Sequence, residues 1–465
     1  MDSQIQEVDW QGARIVVLGF ARQGGAIARY CARHGAQVVV SDLRTAEHFM
    51  DLQKELEDLP IEYVFGAHPP ELLDGTALLC LSGGVPLEAP LVKLAIRKGV
   101  KLSNDAQIFL QACPAPVIGI TGSAGKSTTT ALIGSMARAD AKASGRCVWV
   151  GGNIGRSLLE DLDKIGAGDR VVMELSSFQL EIMSMSPHIA ALLNITPNHL
   201  DRHHTMEAYA AAKERILRFQ SSQDVAVLGR EDPGAWSYAS QIKGRLLSFG
   251  LEPQVKGVGT FVRGGSVWLR NEQGETQLFE TQAIQLRGQH NLINVAAACA
   301  ICAAMGIAPE AMEEGVRSFQ GLPHRLEFVR NLNGADWFND SIATAPERSI
   351  AALRAFDRPI VLLAGGRDKD LKWNTFADEV SQRVDRLILF GEAASKIHAH
   401  MQKVADRERP LSIDLCSGLE EAVRAAVRVA REGDVVLLAP GGTSFDEFID
   451  FEERGERFRA LVLAL

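Results

Sequence analysis

The chain has 465 residues, 46% of them hydrophobic and 23% charged, with a formal net charge of −9. Such a composition fits a soluble globular protein, and the length suggests about three domains. An acidic chain without a basic stripe is a poor nucleic-acid binder, no apolar run reaches the ~18 residues of a membrane span, and the acidic, polar start does not read as a signal peptide.

The first predicted strand, Arg14 to Gly19, runs into Gly19-Phe20-Ala21-Arg22-Gln23-Gly24-Gly25 and a helix through Ala32. A second strand, from Gln37, ends in Asp42. This β-α-β pattern is that of a nucleotide-binding fold, with the acid placed for a ribose or base contact. Ala21 stands where the dinucleotide fingerprint has its middle glycine, so a nucleotide other than nicotinamide is expected. The next strand, Ala77 to Leu81, runs into Ser82-Gly83-Gly84, a glycine turn at the strand end where open α/β sheets put ligands.

Val117 to Ile120 is a buried-strand pattern followed by Thr121-Gly122-Ser123-Ala124-Gly125-Lys126-Ser127-Thr128 and a helix. Glycines that let backbone N–H groups face inward, a helix N-terminus, a lysine and a hydroxyl make a cradle for phosphates with Mg²⁺. The spacing is shorter than the common G-x-x-x-x-G-K-[ST], which would need a glycine at Ile120. Further on, a strand from Arg170 delivers Glu174, a candidate to hold Mg²⁺ or its water. The strand Ile189 to Ile195 leads into Thr196-Pro197-Asn198-His199-Leu200-Asp201-Arg202-His203-His204. That spacing fits no compact zinc pattern, so His199 is expected to be functional, and His203 and His204 to make solvent or loop contacts.

Met206 to Phe219 reads as a helix, on which Lys213 looks like an ordinary solvated charge. Residues 221–287 look like a β-rich insert, and an Ala-rich helix follows His290. Cys299 and Cys302 lie in that helix as a lone C-x-x-C and read as core; the seven scattered cysteines suit a reducing cytoplasm. Strands at 336–339, 360–364, 387–390 and 435–439 then alternate with helices, including one over 419–431 with apolar residues at helical spacing. This is a second mostly parallel sheet. Thr344-Ala345-Pro346-Glu347 has the form of a helix capping box, which competes with a substrate role for Thr344.

Taken in order, TGSAGKST, GGNIG, ELSSFQLE, NITPNHLDRH, YAAAKERI, GQHNLIN, LPHRLE, NDSIAT and SFDEFIDFEERG span nearly the whole chain, which therefore resembles the Mur ligases. The resemblance implies an α/β fold of three domains. A Rossmann-like N-terminal domain (1–112) would bind a UDP-sugar. A central P-loop-type ATPase domain (113–322) would have a mostly parallel sheet plus a small β-rich part. A Rossmann-like C-terminal domain (323–465) would bind ATP and the amino acid.

The implied activity is ATP-dependent amide formation between UDP-N-acetylmuramoyl-L-alanine and D-glutamate through an acyl phosphate, by a cytoplasmic monomer of peptidoglycan precursor synthesis. The resemblance assigns ATP to Gly122, Ser123, Gly125, Lys126, Ser127, Thr128, Asn294, Arg325 and Asp340. It assigns Mg²⁺ to Ser127, Glu174, His199 and a carbamylated Lys213, with Lys126, Glu174, His199 and Lys213 catalytic. The UDP-sugar would meet Phe20, Ala21, Asp42, Arg44, Ser82, Gly84, Asn153 and His199, and the amino acid Thr344, Lys369, Ser444 and Phe451. Two positions depart from the family's pattern: Ala124 replaces an Asn of the phosphate loop and Ile342 replaces a Lys. Alternative readings are ligation of L-glutamate, or an ATPase that makes no amide.

Overall fold

The computed structural model describes residues 9–253, 257–286, 288–368, 371, 373–404 and 411–465. They form two compact units, Met1–Phe319 and Gln320–Leu465, the first holding two sheets and the second one.

The first sheet has five parallel strands: β1 (Arg14–Leu18), β2 (Gln37–Asp42), β3 (Ile61–Phe65), β4 (Leu78–Leu81) and β5 (Lys101–Ser103), in the order β3-β2-β1-β4-β5. β1 and β4 are buried along most or all of their length, which explains their continuous apolar runs. Strand order reverses at β1, so the Gly19 turn and the Ser82 turn lie side by side at the C-terminal edge. The approach is close: a Cβ on Gly19 would stand 2.9 Å from the Ser82 Cβ.

The second sheet comprises β6 (Val117–Thr121), β7 (Val148–Gly152), β8 (Arg170–Glu174), β9 (Ile189–Leu192), β10 (Val225–Gly229), β11 (Arg245–Phe249), β12 (Val258–Arg263), β13 (Ser266–Asn271) and β14 (Gly274–Glu280). Its order is β14-β13-β12-β11-β10-β9-β6-β8-β7, antiparallel only from β12 to β14. The stretch expected as a β-rich insert is thus the outer part of the same sheet, because β10 and β11 continue the parallel ladder from β9. The helices Lys126–Ser144 and Gln289–Ala304 cover one face. Cys299 and Cys302 are fully buried there, and burial pushes both thiols up, so they serve as core. Both sheets contribute to one apolar cluster, with Ile27 and Phe109 from the N-terminal part meeting Leu158, Leu162 and Met173.

The second unit carries β15 (Glu327–Leu332), β16 (Ala335–Asn339), β17 (Ile360–Gly365), β18 (Val384–Phe390), β19 (Ser412–Cys416) and β20 (Val435–Gly441), in the order β15-β16-β20-β17-β18-β19. All pairs are parallel except β15 with β16. The helix Leu419–Val429 buries Leu419, Ala422, Val423, Ala425 and Ala426 against this sheet, the face its spacing predicts. The expected capping box does not form. Ala345 is the N-cap, without a side-chain bond, and Pro346 begins the helix Pro346–Leu353. Proline is best placed at the first helical position, where its missing N–H costs nothing, and this shifts Thr344 outside the helix. Among the described residues no helix is long and apolar enough to cross a membrane.

Candidate active site

β6 hands the chain to the phosphate loop at Thr121, whose hydroxyl donates to the Leu175 carbonyl at 2.8 Å. Gly125 has φ +84° and caps the helix Lys126–Ser144 with no side chain, leaving the first-turn N–H groups for an anion. A Cβ here would also stand 2.3 Å from the Asn294 Oδ1, so glycine is required twice over. Gly122 serves differently, since its φ is not positive; its hydrogen lets the loop pass Leu193, whose Cβ would otherwise lie at 2.9 Å.

Side chains from outside the loop brace it. Asn194 Oδ1 accepts from the Ala124 N–H at 2.8 Å, and Asn194 Nδ2 donates to the Ala124 carbonyl at 3.1 Å. The Ser123 hydroxyl donates to Thr196 O at 2.9 Å and accepts from Thr196 N at 2.9 Å and Tyr209 Oη at 3.1 Å. Ser123, expected to bind ATP, therefore has its side chain committed to the loop, and its backbone N–H donates to Asn194 O at 3.0 Å. Asn194, Thr196 and Tyr209 went unnoticed in sequence because nothing local marks them as partners of residues 123 and 124.

Two lysines converge on one carbonyl. Lys126 Nζ donates to Gly122 O at 2.9 Å, and Lys213 Nζ donates to the same oxygen at 2.8 Å. The helix Met206–Arg218 delivers Lys213 inward, where it is 1% exposed with its Nζ 4.6 Å from the Tyr209 ring centroid. Far from being a solvated charge, Lys213 is pushed down to about 6, chiefly by burial and further by the Lys126 charge, with Glu174 opposing. Glu174 is 1% exposed; its Oε1 accepts from Asn153 Nδ2 at 2.8 Å and its buried Oε2 has no protein partner. An orphaned carboxylate oxygen beside a phosphate cradle fits a divalent cation. Among the described residues no group of three or more His, Cys, Asp or Glu gathers as a metal cage.

His199 stands exposed at φ +52°, its ring edge-on to Phe178 at 5.1 Å. His203 departs from expectation. It is 4% exposed, with Nε2 3.0 Å from Ser177 Oγ and Nδ1 3.0 Å from Glu181 Oε1, so it anchors this segment from beneath. His204 is exposed.

In the first sheet, Asp42 accepts from Phe20 N at 2.8 Å, Arg44 N at 2.9 Å and the Arg44 guanidinium at 3.0 Å. Burial opposes its ionisation, but Arg44 and the backbone N–H groups outweigh this and hold it at about 2. The Phe20 ring is wholly buried among Phe49, Tyr63 and Phe65, so it can offer a ligand only its backbone. Ala21 and Gly84 are exposed beside it, and Ser82 is 8% exposed. Asn153, at the edge of the second sheet, accepts from Arg22 Nη2 at 3.4 Å through its carbonyl.

In the second unit, Asp340 follows β16, and its Oδ1 accepts from Leu326 N at 3.0 Å. Burial pushes it up to about 6, against the charges of Arg325 and Arg348. Ile342 presents its carbonyl to Arg348 Nη1 at 3.3 Å. Ser444 is 2% exposed, and Phe451 opens the helix Phe451–Leu463 with its ring edge-on to His324 at 6.4 Å. Sequence reasoning missed Arg454. Fully buried, it donates to Ser341 Oγ at 3.0 Å, Ser341 O at 2.9 Å and Gly442 O at 3.1 Å, tying the ends of β16 and β20 together. Lys369 lies outside the described residues.

The chain matches three family models: the Mur ligase MurD-like N-terminal domain over residues 13–104, the Mur ligase middle domain over 120–302 and the Mur ligase glutamate ligase domain over 324–442. It is 41% identical to the UDP-N-acetylmuramoylalanine–D-glutamate ligase of Symbiobacterium thermophilum, over 97% of this chain and 98% of that one. The enzyme of the same name from Geotalea uraniireducens is 40% identical over 97% of each chain. Among solved structures, UDP-N-acetylmuramate-alanine ligase from Thermotoga maritima shares the fold at a TM-score of 0.56 and 18% identity, covering 97% of this chain and 99% of that one.

Proposed function

The chain belongs to the Mur ligase family, and we propose that it joins D-glutamate to UDP-N-acetylmuramoyl-L-alanine at the expense of ATP. The observation that carries the chemistry is the convergence of Lys126, Lys213 and the unpartnered Glu174 Oε2 on the Gly122–Gly125 loop.

A carboxylate is a poor electrophile. The L-alanyl carboxylate therefore attacks the γ-phosphorus of ATP, breaking its bond to the bridging oxygen and releasing ADP, and the glutamate amine then attacks the acyl-phosphate carbon, loses a proton and displaces phosphate. Lys126 and the first-turn N–H groups hold the phosphates and neutralise charge that moves during transfer. Mg²⁺ held by Ser127 and Glu174, with a second ion at His199 and Lys213, would supply further positive charge there. A lysine at about 6 is neutral at pH 7, and the neutral amine is the form that adds to CO₂; carbamylation would turn Lys213 into an anionic ligand. Asn294, Arg325 and Asp340 are assigned to ATP. Asp42, Arg44, Ser82, Gly84, Asn153 and the backbone at Phe20 and Ala21 are assigned to the UDP-sugar. Thr344, Lys369, Ser444 and Phe451 are assigned to glutamate, with Arg348 beside Ile342 supplying a cation in place of the family's lysine.

The working unit proposed is a cytoplasmic monomer. The test is phosphate release from ATP with UDP-N-acetylmuramoyl-L-alanine and D-glutamate, L-glutamate or no amino acid, with the product weighed by mass spectrometry. Release and amide formation are expected with D-glutamate. Hydrolysis indifferent to both the sugar nucleotide and the amino acid would overturn the reading.

A further inference from the structure

Arg202 lies in the short helix Leu200–His203 directly after His199, yet its side chain reaches into the first sheet. Its Nη1 donates to Gly83 O at 3.0 Å and its Nη2 to Val85 O at 2.7 Å. The guanidinium carbon sits 4.0 Å from the centroid of the Phe178 ring, the ring that also packs against His199 and stacks on His203. On the other side, the Ser82–Val85 turn is tied to the first sheet by Ser82 N, which donates to Leu18 O at 2.9 Å, and by Gln23 Oε1, which accepts from Gly83 N at 3.0 Å. His203 is pinned below by Glu181 and Ser177, and Arg202 adds its charge next to Glu181. A single planar fork thus joins the turn assigned to the UDP-sugar with the segment that carries His199. Both hydrogen-bond acceptors are neutral backbone carbonyls, so these two bonds fix position while the charge faces Glu181, and a lysine lacks the planar fork that spans both carbonyls.

We propose that Arg202 is a positioning residue that couples the two loops, so that a UDP-sugar on the Ser82–Val85 turn and Mg·ATP at the His199 segment each strengthen binding of the other. The inference rests on the site assignments above and adds an energetic link between them. By reciprocity, a coupling of this kind appears as the same factor in either affinity.

The test is calorimetric titration of UDP-N-acetylmuramoyl-L-alanine into the full chain, with and without Mg²⁺ and a non-hydrolysable ATP analogue. In the unaltered protein the analogue should tighten Kd by about fivefold or more. Arg202→Met should bring that ratio to within about twofold of one while each ligand alone binds nearly as before, a pattern general loosening does not produce. Arg202→Lys, which keeps the charge and one bond, should lose most of the ratio at an unchanged melting temperature and decides the matter if the Met variant unfolds. A ratio of one in the unaltered protein, or an undiminished ratio in Arg202→Lys, defeats the coupling and leaves the ligase assignment standing. Failure of the unaltered protein to bind the sugar nucleotide at all defeats both.

Discussion

Lys213 offers a test in which stability and activity should move in opposite directions. Burial pushes it down to about 6 in the folded chain from its ordinary 10.5, so between those values only the unfolded chain binds the proton. Where the unfolded state binds more protons, stability rises with pH, here by about 1.4 kcal/mol per unit from pH 6 to 10.5. At pH 7 the buried amine therefore costs roughly 5 kcal/mol relative to a side chain that never charges. Met has a similar stem and no charge; it forgoes the bond to Gly122 O, worth about 1 kcal/mol. Lys213→Met should gain on the order of 3 kcal/mol at pH 7 once local relaxation is allowed for, and its stability should lose the rise with pH. Urea titrations at pH 6.5, 7.5, 8.5 and 9.5 in CO₂-free buffer read both quantities. The same variant should be inactive, and Lys213→Ala should recover part of its phosphate release when a short carboxylic acid is added. A less stable Met variant whose pH slope matched the unaltered protein would refute the buried neutral amine. Absence of rescue, with metal affinity unaltered, would count against the carbamate.

Three further outcomes are expected. Lys126→Ala should abolish phosphate release, and full turnover by that variant would remove the phosphate-cradle assignment. Gly125→Ala places a Cβ 2.3 Å from Asn294 Oδ1 on a residue at φ +84°; the loop must shift, and turnover should fall by about 100-fold in a phosphate-release assay. Asp340 is raised to about 6 from 3.8, so the folded chain holds a proton that the unfolded chain gives up, and stability falls as pH rises through that window. Asp340→Asn should remove a fall of up to about 3 kcal/mol. Denaturation curves of the two proteins that run parallel from pH 4.5 to 7 would exclude this.

The order of elements and the phosphate loop were legible in the sequence because each is dictated by neighbours in the chain. A buried strand must be a continuous apolar run, a loop turning through positive φ needs glycine, and a lysine and hydroxyl open the next helix. Hence Val117–Thr128 and the acids that end β2 and β8 could be read directly, and the Mur ligase motifs follow them in order. The capping box was misread for the same local reason. Two patterns were possible within four residues, and proline's preference for the first turn selected the one that leaves Thr344 out.

Tertiary structure alone decided what each polar side chain faces. Lys213 meets the carbonyl of a residue 91 positions away, Tyr209 a hydroxyl 86 away, Arg202 a carbonyl 119 away and Arg454 one 113 away. A helical lysine, a loop arginine and a histidine after an aspartate look solvated in any local window. Desolvation, which moves Lys213 to about 6 and Asp340 to a similar value, comes from whatever packs around the group once the chain has closed. Spacing along the chain specifies which backbone shapes are affordable; only the folded surroundings set the charge state and partner of a buried polar group.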